Sequence, residues 1–171
     1  MYMRNEDLKF ETKRLLIRNF LPEDAASCME GWGKDVNLGR YILSYPMKDM
    51  EQMKNFAEFL SKQRNAWLLI EKKSRDAIGY VTMDIPYEIL KIGEIGYVIG
   101  ERYQGNAYAV EALRFLLHMY FTDQDLYLVE ARYNAGNIAS SKVLNRLGFK
   151  KEASPSVPQG YTAYAEGRRD T

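Results

Sequence analysis

The sequence predicts a mixed α/β fold (α+β): a mostly antiparallel mixed sheet flanked by about four helices. Three observations point there. Strand-like and helix-like segments follow one another between residues 10 and 165. Three short apolar runs, 66–71, 78–87 and 92–99, are joined by turn-like connections and read as an antiparallel meander. Residues 110–121 place Val110, Leu113, Leu117 and Tyr120 at helical spacing, the apolar stripe of a helix laid on a sheet.

Each element has a local reason. Residues 10–20 alternate in part and hold Leu15, Leu16 and Ile17, which reads as a first strand. Pro22, Glu23 and Asp24 then open a helix that runs to about Trp32, with proline at an allowed early position and acids at the positive end of the dipole. Residues 33–48 are irregular. Asp49 is placed to cap a helix over 50–64, whose inner face carries Met53, Phe56, Phe59 and Leu60. After the meander and the 110–121 helix, residues 126–133 read as a strand. Residues 138–146 read as a helix stopped by Gly148. Runs 149–153 and 161–165 form a terminal hairpin across a Pro/Ser/Gly loop. No repeat or linker interrupts the order, so the expectation is one domain over 1–171 with its core at about 10–166.

Composition narrows the function classes. Of 171 residues 46% are hydrophobic and 27% charged, within the ordinary range for a globular protein. A net charge of +1 argues against nucleic acid or an anionic membrane as partner. With one cysteine, Cys28, no intrachain disulfide can form, and the bland reading of that thiol is a small buried side chain. His118 is the single histidine and reads as structural, so no metal site is expected. The first seven residues are polar and charged, unlike a signal sequence, and no apolar run approaches spanning length; the expected compartment is the cytoplasm.

The most informative stretch is Arg102-Tyr103-Gln104-Gly105-Asn106-Ala107-Tyr108-Ala109, between the 92–99 strand and the amphipathic helix. A short Gly/Ala loop opening a helix leaves main-chain N–H groups unpaired at the positive end of the helix dipole, where a phosphate binds well. Gly105 lets the main chain approach a ligand, and Ala107 adds little bulk. A phosphorylated cofactor is therefore expected here.

The same loop, Arg102-x-x-Gly105-x-Ala107, resembles the pyrophosphate-binding loop of the GNAT (GCN5-related) acyl-CoA N-acyltransferases. Three further pieces stand in that family's order: Glu94-Ile95-Gly96-Tyr97, Asn134-x-x-Asn137-x-x-Ser140, and Leu147-Gly148-Phe149. The opening Glu11-Thr12-Lys13-Arg14-Leu15-Leu16-Ile17-Arg18 is similar to the first strand of the RimJ/RimL-like subgroup, which acetylates ribosomal-protein N-termini. The resemblance runs from about Phe10 to Phe149. It implies a GNAT-type acyl-CoA N-acyltransferase fold and acetyl-CoA as co-substrate, with no metal.

By that resemblance, the main chain of Gln104, Gly105, Asn106, Ala107, Tyr108 and Ala109 would hold the pyrophosphate, with Arg102 adding charge. The 92–99 strand would splay from the next one. Main-chain groups of Tyr97, Val98 and Ile99 would then hold the pantetheine arm, and an N–H near Val98 would meet charge developing on the acetyl oxygen. Asn137 would also bond the pantetheine arm; its competing role is the N-cap of its helix. Glu94, in an otherwise apolar strand, is the candidate general base, and burial would raise its pKa into a useful range. Its competing readings are a solvated carboxylate or one paired with an arginine. Many relatives carry a tyrosine acid where this chain has Leu144, so that acid is excluded. Ser140 or Ser141 would steady the thiol, and Tyr164 is a distant alternative acid. Tyr41, Tyr45 and Tyr87 would line the acceptor mouth.

The expected function is direct acetyl transfer from acetyl-CoA to a primary amine in a ternary complex, since no Cys or Ser is set as a nucleophile. The first acceptor is the α-amine of a protein or peptide. A small amine, polyamine or amine antibiotic is the alternative, and a homodimer is compatible with the family. From another class, a non-catalytic acyl-CoA-binding module is the competing reading.

Overall fold

The computed structural model describes residues 8–40, 45–153 and 160–167. The polar segment 1–7, Tyr41 and residues 154–159 of the Pro/Ser/Gly loop lie outside the described residues. The chain forms a mixed, mostly antiparallel sheet with helices, and divides into two compact units. One takes Met1–Thr82 and Tyr97–Tyr108; the other takes Met83–Gly96 and Ala109–Thr171.

In the first unit, β1 (Lys9–Glu11), β2 (Leu15–Asn19), β3 (Ala66–Glu71) and the start of β4 (Ala77–Tyr87) lie side by side, each antiparallel to the next. Residues 10–20 were expected as one strand and form two. Thr12 breaks the run: its N–H donates to the Leu15 carbonyl at 2.9 Å, and its Oγ1 accepts the Leu15 N–H at 3.1 Å. That closes a tight turn, and the alternation resumes in β2 with Leu15, Ile17 and Asn19 facing inward.

The helix expected after Pro22 is a composite. A 3-10 turn (Pro22–Asp24), α1 (Ala25–Cys28) and a π turn (Met29–Gly33) follow without a break. Asp24 fixes its start. One carboxylate oxygen accepts the Leu21 N–H at 2.8 Å, and both accept from the Arg18 guanidinium at 2.7 Å. A two-point arginine contact of this kind is worth more than a surface ion pair, because it is half-buried and geometrically fixed. A further 3-10 turn occupies Val36–Arg40. In α2 (Met50–Ser61) the expected cap is present: Asp49 accepts the Gln52 N–H at 2.8 Å. Met53, Ala57 and Leu60 are the buried face of α2, whereas Phe59, expected there, is 55% exposed. The core of this unit gathers Phe20, Cys28, Trp32, Met53, Leu68, Tyr80 and Val98.

The second unit holds the rest of β4, a 3-10 turn (Glu88–Leu90), most of β5 (Ile92–Ile99), α3 (Tyr108–Thr122), β6 (Leu128–Asn134), α4 (Ile138–Arg146), β7 (Lys150–Ala153) and β8 (Gly160–Glu166). The strand order here is β4-β5-β6-β8-β7. The expected terminal hairpin is the antiparallel β7–β8 pair, and β8 inserts beside β6. All four expected stripe residues of α3 are buried: Val110, Leu113, Leu117 and Tyr120. Asn137 caps α4 through the Ser140 N–H at 3.1 Å, and Gly148 ends it at φ +81°.

Glycines set the closest approaches in the first unit. A Cβ on Gly31 would lie 1.8 Å from the Ala77 carbonyl oxygen, and one on Gly100 2.2 Å from the Gly31 carbonyl oxygen. Both obstacles are backbone, so neither can swing aside. Gly31→Ala is accordingly expected to lower unfolding stability by about 1–3 kcal/mol, read as a lower urea midpoint at unchanged slope. An unchanged midpoint would mean the helical run does not sit this close to β4.

Candidate active site

In the first unit, β5 ends at Ile99 and a 3-10 turn (Glu101–Tyr103) leads into the Gly/Ala loop. Gly105 turns at φ +78° and Ala107 at φ +59° before α3 begins at Tyr108. No atom stands within 4 Å of where a Gly105 Cβ would be, so conformation alone selects glycine there. Ala107 in the left-handed region carries a cost of about 1–2 kcal/mol that its surroundings must offset.

Side chains lace this loop together. Asp35 accepts the Glu101 N–H at 2.6 Å, and burial holds the Asp35 carboxyl above its ordinary range, partly offset by that bond. Gln104 Nε2 donates to the Ile99 carbonyl at 2.9 Å, and Asn106 Nδ2 to the carbonyls of Tyr103 and Gln104 at 3.2 Å. No described residue accepts a hydrogen bond from the amides of Gly105, Asn106, Ala107 or Tyr108. With α3 starting here, those donors form a ready anion site. Arg102 is drawn sideways instead. It bonds the Tyr103 hydroxyl and lies 3.8 Å from Asp76, while Tyr103 donates to Asp76 at 2.8 Å. Sequence reading missed Asp35 and Asp76, and above all Arg14, whose guanidinium reaches the Asn106 carbonyl at 2.9 Å. No local pattern signals a partner 92 residues away.

Of the three strand residues expected to hold a pantetheine arm, Val98 and Ile99 face opposite edges. Gly79 of β4 lies against the Val98 carbonyl, and Gly100 donates to the Ile78 carbonyl at 2.8 Å. In a strand, one residue's N–H and C=O share an edge and the next residue's point the other way. Val98's main chain is thus turned to β4, and the main chains of Tyr97 and Ile99 to the opposite edge. The Val98 N–H, expected as a donor, is on the β4 side, and the Ile99 N–H is on the other.

The second unit carries the other candidates. Its parallel β5–β6 ladder covers Ile92, Gly93 and Glu94 only, while β6 continues to Asn134 against β8. Glu94 stands at the end of that ladder. Its side chain is 37% exposed and its Oε2 lies 3.4 Å from an Arg132 guanidinium nitrogen. The sealed, apolar setting expected for it is absent, and the arginine-paired alternative is the one observed. Asn137 serves as the N-cap, its Oδ1 taken by the Ser140 N–H. Ser141 lines a cavity of about 160 Å³ with Tyr133, Leu144, Phe149 and Ala163. Leu144, where a tyrosine was excluded, is 2% exposed and closes that cavity with apolar surface. Nothing is assigned to the Tyr164 side chain, which lies outside the described atoms. His118 is exposed, on a groove shared with Arg114, Arg146 and Lys150.

Of the three tyrosines expected to line an acceptor mouth, Tyr45 and Tyr87 are described, each within its own unit. Tyr45 is 6% exposed, buried in the first unit with its hydroxyl 2.9 Å from that of Tyr80, and Trp32 stacks 4.9 Å from Tyr80. Tyr87 is 66% exposed and belongs to the other unit. Tyr41 lies outside the described residues. The sequence places aromatics near one another but does not reveal which hydroxyls find partners in the core. Among the described residues, no three His, Cys, Asp or Glu side chains converge as metal ligands, and no helix is long and apolar enough to cross a membrane.

The mixed sheet carries, at the end of β5, a helix opened by an anion-ready loop. The acetyltransferase (GNAT) domain family matches residues 14–150, and the chain belongs to that family. It is an acetyl-CoA-dependent acetyltransferase. An uncharacterised N-acetyltransferase of Bacillus licheniformis, p20, is 30% identical over 146 residues, covering 82% of both chains. Solved structures of low identity share the fold. The ribosomal-protein-S5-alanine acetyltransferase of Vibrio fischeri superposes at TM-score 0.80, with 22% identity and 94% and 97% of the two chains covered. The ribosomal α-N-protein acetyltransferase RimL, in complex with coenzyme A, superposes at 0.79 with 16% identity and 93% and 98% covered.

Cys28 gives this region a pH signature. Fully buried, its thiol is pushed up to about 12, chiefly by burial and then by the Asp24 charge. An unfolded thiol ionises near about 8.5, so above that pH the unfolded chain sheds a proton that the folded chain keeps, and stability falls. Tyr80, pushed up to about 12 by burial, adds its share from about pH 10. The urea midpoint is expected to hold from about pH 7 to 8 and decline above about 9, less steeply in Cys28→Ala. Rapid labelling of the native thiol by a disulfide reagent at neutral pH would contradict this burial.

Proposed function

We propose that this acetyltransferase acts on a free α-amine at the N-terminus of a protein or peptide, in a cytoplasmic, RimJ/RimL-like role. The observation that carries the coenzyme half of this reading is the loop itself. Two left-handed turns at Gly105 and Ala107 present unaccepted amides at the start of α3. These donors, from Gly105 to Tyr108, fit a pyrophosphate, and the Ile99 main chain extends the same line of polar groups along β5. Bound there, acetyl-CoA supplies an acetyl group activated as a thioester.

The acceptor half rests on amine chemistry and on the likeness to transferases whose names specify ribosomal proteins. A free α-amine, with a pKa of about 8, is roughly one-tenth neutral at pH 7; a lysine amine is neutral less than about one part in a thousand. An α-amine therefore needs little help from a base. That matches a carboxylate, Glu94, that is paired with Arg132 and open to water rather than sealed. In this reading Glu94 receives the proton of the attacking amine, directly or through water. Ser140 and Ser141 stand as donors for the departing thiolate.

The test is an acetylation assay against three acceptors: a peptide with a free α-amine, the same peptide N-terminally blocked but bearing lysine, and a polyamine. The free α-amine peptide is expected to dominate, with kcat/KM rising from about pH 6 to 8 as that amine loses its proton. Preference for the blocked lysine peptide or the polyamine would overturn the acceptor assignment. Glu94→Gln is expected to lower kcat by about 100-fold while leaving acetyl-CoA affinity unchanged. Turnover equal to the parent's would remove Glu94 from the chemistry.

A further inference from the structure

We propose that Arg14 is the positioning residue of the coenzyme loop, holding the Asn106–Ala107 peptide in the orientation that turns the Ala107 N–H outward. The inference rests on the reading above that this loop grips pyrophosphate. Arg14 belongs to the opening motif that the catalytic account leaves without a task.

A trans peptide is planar, so its C=O and N–H point in opposite directions. The Arg14 guanidinium donates to the Asn106 carbonyl at 2.9 Å, which fixes the side to which the Ala107 N–H is presented. The same peptide leads into Ala107, at φ +59°. An alanine does not hold that conformation unaided, and strain of this kind persists where the surroundings over-determine it. Arg14 supplies part of that determination twice over, because its guanidinium also lies 4.2 Å from the centroid of the Tyr108 ring, on the first residue of α3. One planar group therefore grips the last strained peptide of the loop and the first turn of the helix together.

The base of this clamp is rigid. Arg14 sits inside the Thr12–Leu15 turn, and its own carbonyl accepts the Lys72 N–H at 2.9 Å. A lysine at this position could offer a donor to the carbonyl but no flat face to the ring. Because the clamp acts through the loop, its loss weakens coenzyme binding without touching the chemical step. Because it orients a pyrophosphate donor, the loss is the same whether or not the coenzyme carries its 3′-phosphate.

The experiment titrates acetyl-CoA and dephospho-CoA into the parent protein, Arg14→Ala, Arg14→Lys, Tyr108→Leu and the Arg14→Ala/Tyr108→Leu double variant, with steady-state kinetics alongside. For Arg14→Ala, the Kd of both ligands is expected to rise about tenfold and the KM for acetyl-CoA with it, while kcat stays within about twofold. Arg14→Lys falls between, and supplies the reading if the alanine variant fails to fold. The double variant binds about as weakly as Arg14→Ala alone, since the two residues form one contact. Unchanged affinity in both Arg14 variants overturns the proposal. So does a loss confined to acetyl-CoA, which would mean direct contact with the 3′-phosphate, or a fall in kcat at constant KM. A parent protein that binds neither ligand defeats the loop reading itself. Tight parent binding that Gly105→Val abolishes and Arg14 variants leave intact defeats only the Arg14 inference.

Discussion

Between Gly105 and Ala107 the chain passes twice through the left-handed region before it becomes α3, and that passage fixes which backbone groups the loop presents. Reversing the backbone in so few residues leaves successive amides without carbonyl partners, and the helix that follows adds its own. Such a turn is costly for an L-residue, so it survives only when the neighbouring groups hold it. The neighbours do so through carbonyls: Gln104 takes that of Ile99, Asn106 takes those of Tyr103 and Gln104, and Arg14 takes that of Asn106. With so many acceptors occupied from within, what remains on offer is donors. An anion is the natural complement.

The strand that feeds this loop is placed by contacts between backbones rather than between side chains. Gly31, Gly79 and Gly100 allow the helical run, β4 and the end of β5 to meet where no Cβ would fit. The same closeness turns Val98 to β4 and leaves Ile99 on the other edge. In the second unit the brief β5–β6 ladder ends at Glu94, and there the carboxylate meets Arg132 instead of an apolar wall. The proposed base in that setting would suit an acceptor that is already substantially neutral. The proposed α-amine acceptor rests on this open, arginine-paired setting of Glu94.

Much of this was legible from the residues. Period-two runs and helical stripes gave the meander, α2, α3 and α4 with their caps at Asp49 and Asn137, because those signals are local. The Gly/Ala loop was legible because a glycine-bearing turn stands directly before an amphipathic helix, a local pattern. What escaped notice was set by distant partners. The Thr12 turn splits a strand through one hydroxyl; Tyr45 is buried with its hydroxyl paired to that of Tyr80; Arg102 leans away because Asp76 waits beside Tyr103. Arg14 could be read in a motif but not connected to a loop so far along the chain.

The most direct measurement of the central claim follows the backbone amides by ¹⁵N–¹H correlation spectra while coenzyme A is titrated in. The account predicts the largest movements at the amides of Gly105, Asn106, Ala107, Tyr108 and Ala109, with Ile99 next. Amides in this loop that stay still while coenzyme A saturates the protein, with shifts gathered instead around Arg114 and Arg146, would contradict it.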